Sequence, residues 1–276
     1  MQQSAKKRIS RTLNITLQCF ITILTFFPMY FMLITSFKSN EQILADYFGI
    51  VFPLHFHNYA AAFSRVMYYL YNSTVVCVAA VIGVSVLSAV SAYVFARYEF
   101  YGKKVLFLFI LSFMMIPATL TMIPQFILIV NLKMIGTKLA LILPYIAFGQ
   151  ILFIYVLRTF IEEIPKDLFD SAKIDGASDL MMFFNIVLPI AKPMITSLAL
   201  LNFLTNWNDF AWPLLVLPKE TSKTIAVGLY AFTSIQHIQY GLLFAGFVIA
   251  SLPPLVLLTA NMKYFIQGVT SGAIKA

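Results

Sequence analysis

The sequence predicts an all-α polytopic membrane protein with six transmembrane helices, and three observations carry that prediction. Hydrophobic residues fill 61% of the 276 positions and charged residues only 11%, too few to cover a water-soluble domain with polar groups. Six apolar runs each reach the roughly 20 residues that a helix needs to cross the hydrocarbon core. The basic residues lie unevenly between those runs, as topology signals do, so the net charge of +8 reads as orientation and not as affinity for nucleic acid.

The runs lie near 13–37, 71–96, 105–131, 139–160, 193–217 and 241–262, within one transmembrane domain over 1–276. The first follows Lys6, Lys7, Arg8 and Arg11. It is too long for the apolar region of a secretory signal and lacks a small-residue cleavage site, so it reads as a retained span. With the N-terminus inside, the inner segments hold those four together with Arg97, Lys103, Lys104, Arg158, Lys166, Lys173, Lys192, Lys263 and Lys275. The outer segments hold only Lys38, Arg65, Lys133, Lys138, Lys219 and Lys223. Translocating Lys and Arg is costly, so both termini, the 161–192 loop and the 263–276 tail are expected in the cytoplasm.

Prolines at 28, 117, 124, 144, 213, 253 and 254 interrupt the spans. Each removes a backbone donor and invites a kink that neighbouring helices must accommodate. In the second span Gly83, Ser85, Ser88, Ala89, Ala92 and Ala96 are small residues at helical steps, which suits close packing of backbones. Cys19 and Cys77 both fall in apolar runs, where a buried thiol is expected and a disulfide framework is not.

The fifth span is the most polar. Asn202, Asn206 and Asp209 are spaced to share one helical face, with Thr205 beside them and Trp207, Asn208 and Trp212 on the same turns. Polar groups at membrane depth serve either as hydrogen-bond glue between helices or as the lining of a solute pathway, and the sequence leaves both open.

The cytoplasmic loop is organised. Pro165 and Asp167 suit the first turn of a short helix over Lys166–Ile174, in which Leu168, Phe169 and Ala172 can share an apolar face. Gly176 supplies a left-handed stop and Ser178 a cap for a second helix. That helix carries Leu180, Phe183, Phe184 and Val187 as an apolar stripe, and Leu188-Pro189 and Lys192-Pro193 are expected to break it before the fifth span. Four aspartates, Asp167, Asp170, Asp175 and Asp179, argue against rest on anionic lipid and for a protein partner.

These residues resemble the inner subunits of binding-protein-dependent ABC importers, in the sugar-importing branch similar to the second permease of maltose-type systems. The family signature is Glu-Ala-Ala, three residues, Gly, nine residues, then Ile-x-Leu-Pro. Asp170, Ser171 and Ala172 stand at its first three positions, Gly176 at the Gly, and Ile186, Leu188 and Pro189 at its close. The likeness covers nearly the whole chain. It includes Ser36-Phe37-Lys38, His57-Asn58-Tyr59, Met115-Ile116-Pro117, Leu143-Pro144-Tyr145, the segment from Trp207 to Leu214, and the tail from Tyr264 to Lys275.

The resemblance implies a type I ABC importer permease fold with a cytoplasmic coupling helix. It implies half of a pore completed by a homologous second permease, two cytoplasmic ATPase subunits and an extracytoplasmic solute-binding protein, in a bacterial or archaeal plasma (inner) membrane. Asp170, Ser171, Ala172, Asp175, Gly176, Ala177, Ile186, Leu188 and Pro189 would engage the ATPase. Asn202, Asn206, Trp207, Asn208 and Asp209 are candidates for the pathway or an interface. The tail would touch the ATPase, and the outer loop from Lys219 to Tyr240 would face the binding protein.

The chain has no Gly-x-x-x-x-Gly-Lys-Ser/Thr phosphate loop, so ATP and Mg²⁺ are expected on the partner ATPases and no cofactor or catalysis is expected in the chain itself. The alternatives are an ABC permease for another small polar solute and an ion-coupled secondary transporter. The latter is disfavoured by a single intramembrane carboxylate and the lack of an evident repeat. A zinc enzyme built on His55, His57 and His237 lacks the Cys or carboxylate ligands of a closed site.

Overall fold

The computed structural model describes residues 2–233 and 238–273. Among them are twelve α-helices: α1 (Gln2–Ser36), α2 (Asn40–Ala45), α3 (His57–Arg97), α4 (Lys103–Ser112), α5 (Ala118–Asn131), α6 (Leu139–Glu162), α7 (Lys166–Ile174), α8 (Asp179–Met182), α9 (Leu188–Trp207), α10 (Ala211–Val216), α11 (Ile225–Ala231) and α12 (Tyr240–Ala273). Five helical stretches are long and apolar enough to cross a membrane, and a bent pair makes up to six. The protein is therefore an all-α polytopic membrane protein.

The chain divides into two compact units, Met1–Met67 with Leu229–Ser251, and Tyr68–Gly228 with Leu252–Ala276. In the first, Phe31 of α1 meets Phe244 of α12 edge-on at 5.7 Å. Lys38 is fully buried, its ammonium donating to the Asp46 carbonyl at 2.8 Å, which meets the requirement that a buried cation be hydrogen-bonded. Asn58 donates to the carbonyls of Ser36 and Lys38, and Ser39 closes a capping box over α2 with Gln42.

In the second unit, α3, α6 and α9 share a core of Val84, Ala89, Ala92, Phe153, Leu157, Val187 and Leu198. The small residues of the second span pack as expected. A Cβ on Gly83 would lie 2.4 Å from the terminal methyl of Ile146 in α6, so a side chain there would make Ile146 shift.

Two spans depart from the simple reading, the fifth of them in two places. The third run is two helices, Lys103–Met115 and Ala118–Asn131, meeting at 101°. Pro117 stands at the break with extended backbone (ψ 132°), and its ring forbids helical continuation of the residue before it. The expected stop at Leu188-Pro189 does not occur, because a π-helical turn over Phe183–Val187 joins α8 to α9. There the Leu188 N–H bonds five residues back to Phe183, and this wider turn relieves the clash that Pro189 would make in a regular helix. The helix runs on through Pro193 but ends at Trp207, so the run expected over 193–217 is divided after 207. Asn208 turns its amide back to the Leu204 carbonyl and the chain re-enters a short helix, α10, only at Ala211.

Candidate functional site

Two regions hold the residues singled out by sequence. The first is the segment between α6 and α9. α7 spans the predicted residues, with Asp167 in its first turn and Lys173 in its last. Gly176 follows at φ +79°, the left-handed conformation glycine adopts without strain, and the Ser178 hydroxyl accepts from the Met181 N–H to cap α8. Asp170, Ser171, Asp175 and Gly176 are exposed, while Ala172 and Ala177 are half-buried against the core.

The apolar face differs from expectation. Phe169 is buried but Leu168 is 46% exposed, because adjacent residues on a helix point about 100° apart and only one can face the spans. On the second helix Met182, Phe183 and Val187 are buried, whereas Leu180 and Phe184 are exposed at 69% and 58%. Ile186 and Leu188 pack against the core, and Pro189 is exposed.

Sequence reasoning missed the residue that fastens this segment. Arg97, the last residue of α3, donates to the carbonyls of Ile161 and Ile164 at 2.6 Å each. Ile161 lies in the last turn of α6, where its carbonyl also accepts the Ile164 N–H at 3.2 Å, and Ile164 lies just past the helix end. The same guanidinium lies over the Phe169 ring at 3.9 Å. One side chain thus ties α7 to the C-terminal ends of α3 and α6. Its only signal in the sequence was a cation at the end of a span, which topology already explained.

The second region is a cavity of about 410 Å³ lined from α5, α6, α9 and the turn beyond it. Asn202, Asn206 and Asp209 all line it, although Asp209 lies past the helix end. Asn206 donates to the Asn202 side-chain oxygen at 3.0 Å, and the Tyr145 hydroxyl donates to the Asp209 carboxylate at 2.7 Å. Trp212 lines the wall while its indole N–H donates to the Ala140 carbonyl at 3.0 Å. Gly149 lets α6 and α9 approach, since a Cβ there would sit 2.9 Å from the Asn202 amide nitrogen.

Trp207 and Asn208 are not in that wall. Trp207 is buried and stacked on Phe203 at 5.3 Å, and Asn208 is exposed and spent on the Leu204 carbonyl. Their neighbours in sequence face the cavity, but a turn of helix carries these two elsewhere. Tyr145, Gln125 and Thr121, also in the lining, come from other helices and have no spacing relation to the fifth span.

Among the described residues no group of three or more His, Cys, Asp or Glu could hold a metal ion. His55 and His57 sit edge-to-face at 5.2 Å, and His237 lies outside the described residues, as do the tail residues 274–276.

Comparison with known proteins shows the family of the chain. The diacetylchitobiose uptake system permease protein NgcG of Streptomyces coelicolor is 33% identical over 92% of this chain and 85% of its own. The arabinooligosaccharides transport system permease protein AraQ of Bacillus subtilis is 32% identical over 92% of each chain. The trehalose/maltose transport system permease protein MalG of Thermococcus litoralis is 29% identical over 100% of this chain and 99% of its own. Among solved structures, a bacterial ABC transporter involved in the import of the acidic polysaccharide alginate superimposes with a TM-score of 0.82 at 20% identity, covering 94% of this chain and 98% of that one. With residues 82–271 matching the family model as well, the chain belongs to the binding-protein-dependent transport system inner membrane components.

Proposed function

We propose that the chain is a permease subunit of an ATP-driven importer of a sugar or oligosaccharide, forming half of the translocation pore. The whole chain acts as one transmembrane domain with both termini in the cytoplasm of a bacterium or archaeon. A homologous second permease completes the pore, an extracytoplasmic binding protein delivers the solute, and two cytoplasmic ATPases bind ATP and Mg²⁺. The chain itself is non-catalytic. Membrane lipid surrounds it, and nucleic acid has no part.

The observation that carries this reading is the exposed α7–Gly176 turn, held to two spans through Arg97 and Phe169. An exposed acidic and small-residue surface suits insertion into a partner, and a buried anchor makes it a rigid handle. Closure of the ATPase pair moves α7. Because α3 and α6 end on the same guanidinium, the spans tilt with it and the pore changes the side to which it opens. Asn202, Asn206 and Asp209 border the pathway. The carbohydrate assignment rests on relatives described as uptake or transport systems for diacetylchitobiose, arabinooligosaccharides and trehalose/maltose.

Proteoliposomes holding both permeases and the ATPases test this. Labelled oligosaccharide should accumulate only with ATP on the ATPase side and binding protein on the other. Accumulation driven by an imposed ion gradient without ATP would overturn it.

A further inference from the structure

The cavity has a chemical character of its own, which bears on what passes through it. α5 contributes the amide of Gln125, α6 the ring and hydroxyl of Tyr145 and the ring of Phe148, α9 with its following turn the amide of Asn202 and the carboxylate of Asp209, and α10 the indole of Trp212. Amides and a carboxylate present donors and acceptors in the fixed planes that sugar hydroxyls pair with. Flat aromatic faces suit the C–H faces of a pyranose. A volume of about 410 Å³ lies within the range of sites that bury a small ligand and has room for a disaccharide.

The charge is one-sided. Asp209 is the one ionisable acid in the wall, and Lys, Arg and His are absent from it among the described residues. The Asp209 carboxylate is held in place by the Tyr145 hydroxyl at 2.7 Å and lies 3.5 Å from the Trp212 backbone N–H. These neutral donors orient it without cancelling its charge, and its remaining lone pairs can accept from hydroxyl donors of a ligand. A sugar bearing a carboxylate would meet this charge with no cation among the described residues of this chain's wall to answer it. At a separation of about 6 Å and an effective dielectric constant near 20, the repulsion corresponds to roughly a hundredfold in affinity.

We propose that this chain carries its own saccharide subsite in this cavity, formed by Gln125, Tyr145, Asn202, Asp209 and Trp212, and that the subsite takes neutral sugars and rejects anionic ones. The proposal rests on the importer reading and adds the charge class of the substrate and a direct contact from this subunit.

The test uses the complete complex of both permeases and ATPases in detergent, without binding protein, so that selection by that protein is removed. Equilibrium dialysis is run with maltose, diacetylchitobiose and arabinotriose as neutral probes and digalacturonate as the anionic one. At least one neutral probe should bind saturably, and at least about tenfold more tightly than digalacturonate. Gln125→Leu and Asn202→Leu should each weaken neutral binding about tenfold. Asp209→Asn, which keeps shape and a hydrogen-bonding oxygen, should reduce the neutral-to-anionic preference at least tenfold. Assembly of each variant is checked by gel filtration, and Gln125→Leu guards against misfolding of the fifth span.

Absence of saturable binding, or a preference indifferent to Asp209→Asn, overturns the subsite. ATP-driven uptake by the same complex, reconstituted with binding protein, separates the two levels of inference. Uptake without an Asp209-dependent preference removes the subsite and leaves the importer. Loss of all ATP-driven saccharide uptake in the unmodified complex removes the importer as well.

Discussion

Replacing Arg97 by Met should loosen the joint between the α7 segment and the spans. The side chain donates to two carbonyls, those of Ile161 and Ile164, whose residues are 1% and 4% exposed, and its guanidinium covers the Phe169 ring at 3.9 Å. The Ile161 carbonyl keeps the Ile164 N–H, so the Ile164 carbonyl is the one that loses its donor, at about 1–3 kcal/mol, and a cation over an aromatic face contributes about 0.5–2 kcal/mol. Contacts that share one side chain do not add fully, so the expected loss is about 3 kcal/mol, roughly a hundredfold in the local equilibrium. The assay has two parts: melting of the complete complex in detergent, and stimulation of ATP hydrolysis by loaded binding protein. Arg97→Met should lower the melting temperature and abolish most of the stimulation. Arg97→Lys, a cation without the planar fork, should fall between. Wild-type melting and stimulation in Arg97→Met would refute the joint.

Three other outcomes are expected. Gly176→Val places a β-branched residue at φ +79°, at a cost of about 1–2 kcal/mol or more, and should reduce ATP-driven uptake and co-purification of the ATPase. Single cysteines at Asn202, Asn206 and Asp209 should change their labelling by a small polar thiol reagent between nucleotide-bound and nucleotide-free complexes, whereas unchanging inert cysteines would mark simple packing. In the loop between α10 and α11, hydrogen bonds from Lys223 and then Tyr69 hold the Glu220 carboxyl below its ordinary value of 4.5. A depressed carboxyl stabilises the loop above that value and loses its contribution as pH falls through the folded one. Hydrogen exchange over residues 219–225 should therefore rise on acidification below about pH 4.5, and Glu220→Gln should flatten that dependence.

What sequence made legible was local. The α7 helix, the left-handed Gly176 and the Ser178 cap are each fixed by a few adjacent residues, and each appears where its residues stand. The bend at Pro117 was marked by the proline, but its 101° depends on tertiary packing. Pro189 misled because a π turn just before it absorbs the missing donor, and nothing in Phe183–Val187 announces that turn. Leu180 and Phe184 fit an apolar stripe by spacing yet stand exposed, since periodicity does not say which apolar face has a neighbour. Asp209 was found but its partner Tyr145 was not, since they meet across 64 residues of chain. Arg97 was counted as a topology charge, and its bonds to α6 depend on where two helices end.

The central claim is that the segment beside Gly176 is gripped by a separate ATPase. Site-specific photo-crosslinking from Asp170 in native membranes, with the adduct identified by mass spectrometry, measures this directly. The account predicts an adduct with the ATPase subunit whose yield changes on adding ATP. Adducts with lipid alone, unaffected by ATP, would contradict it.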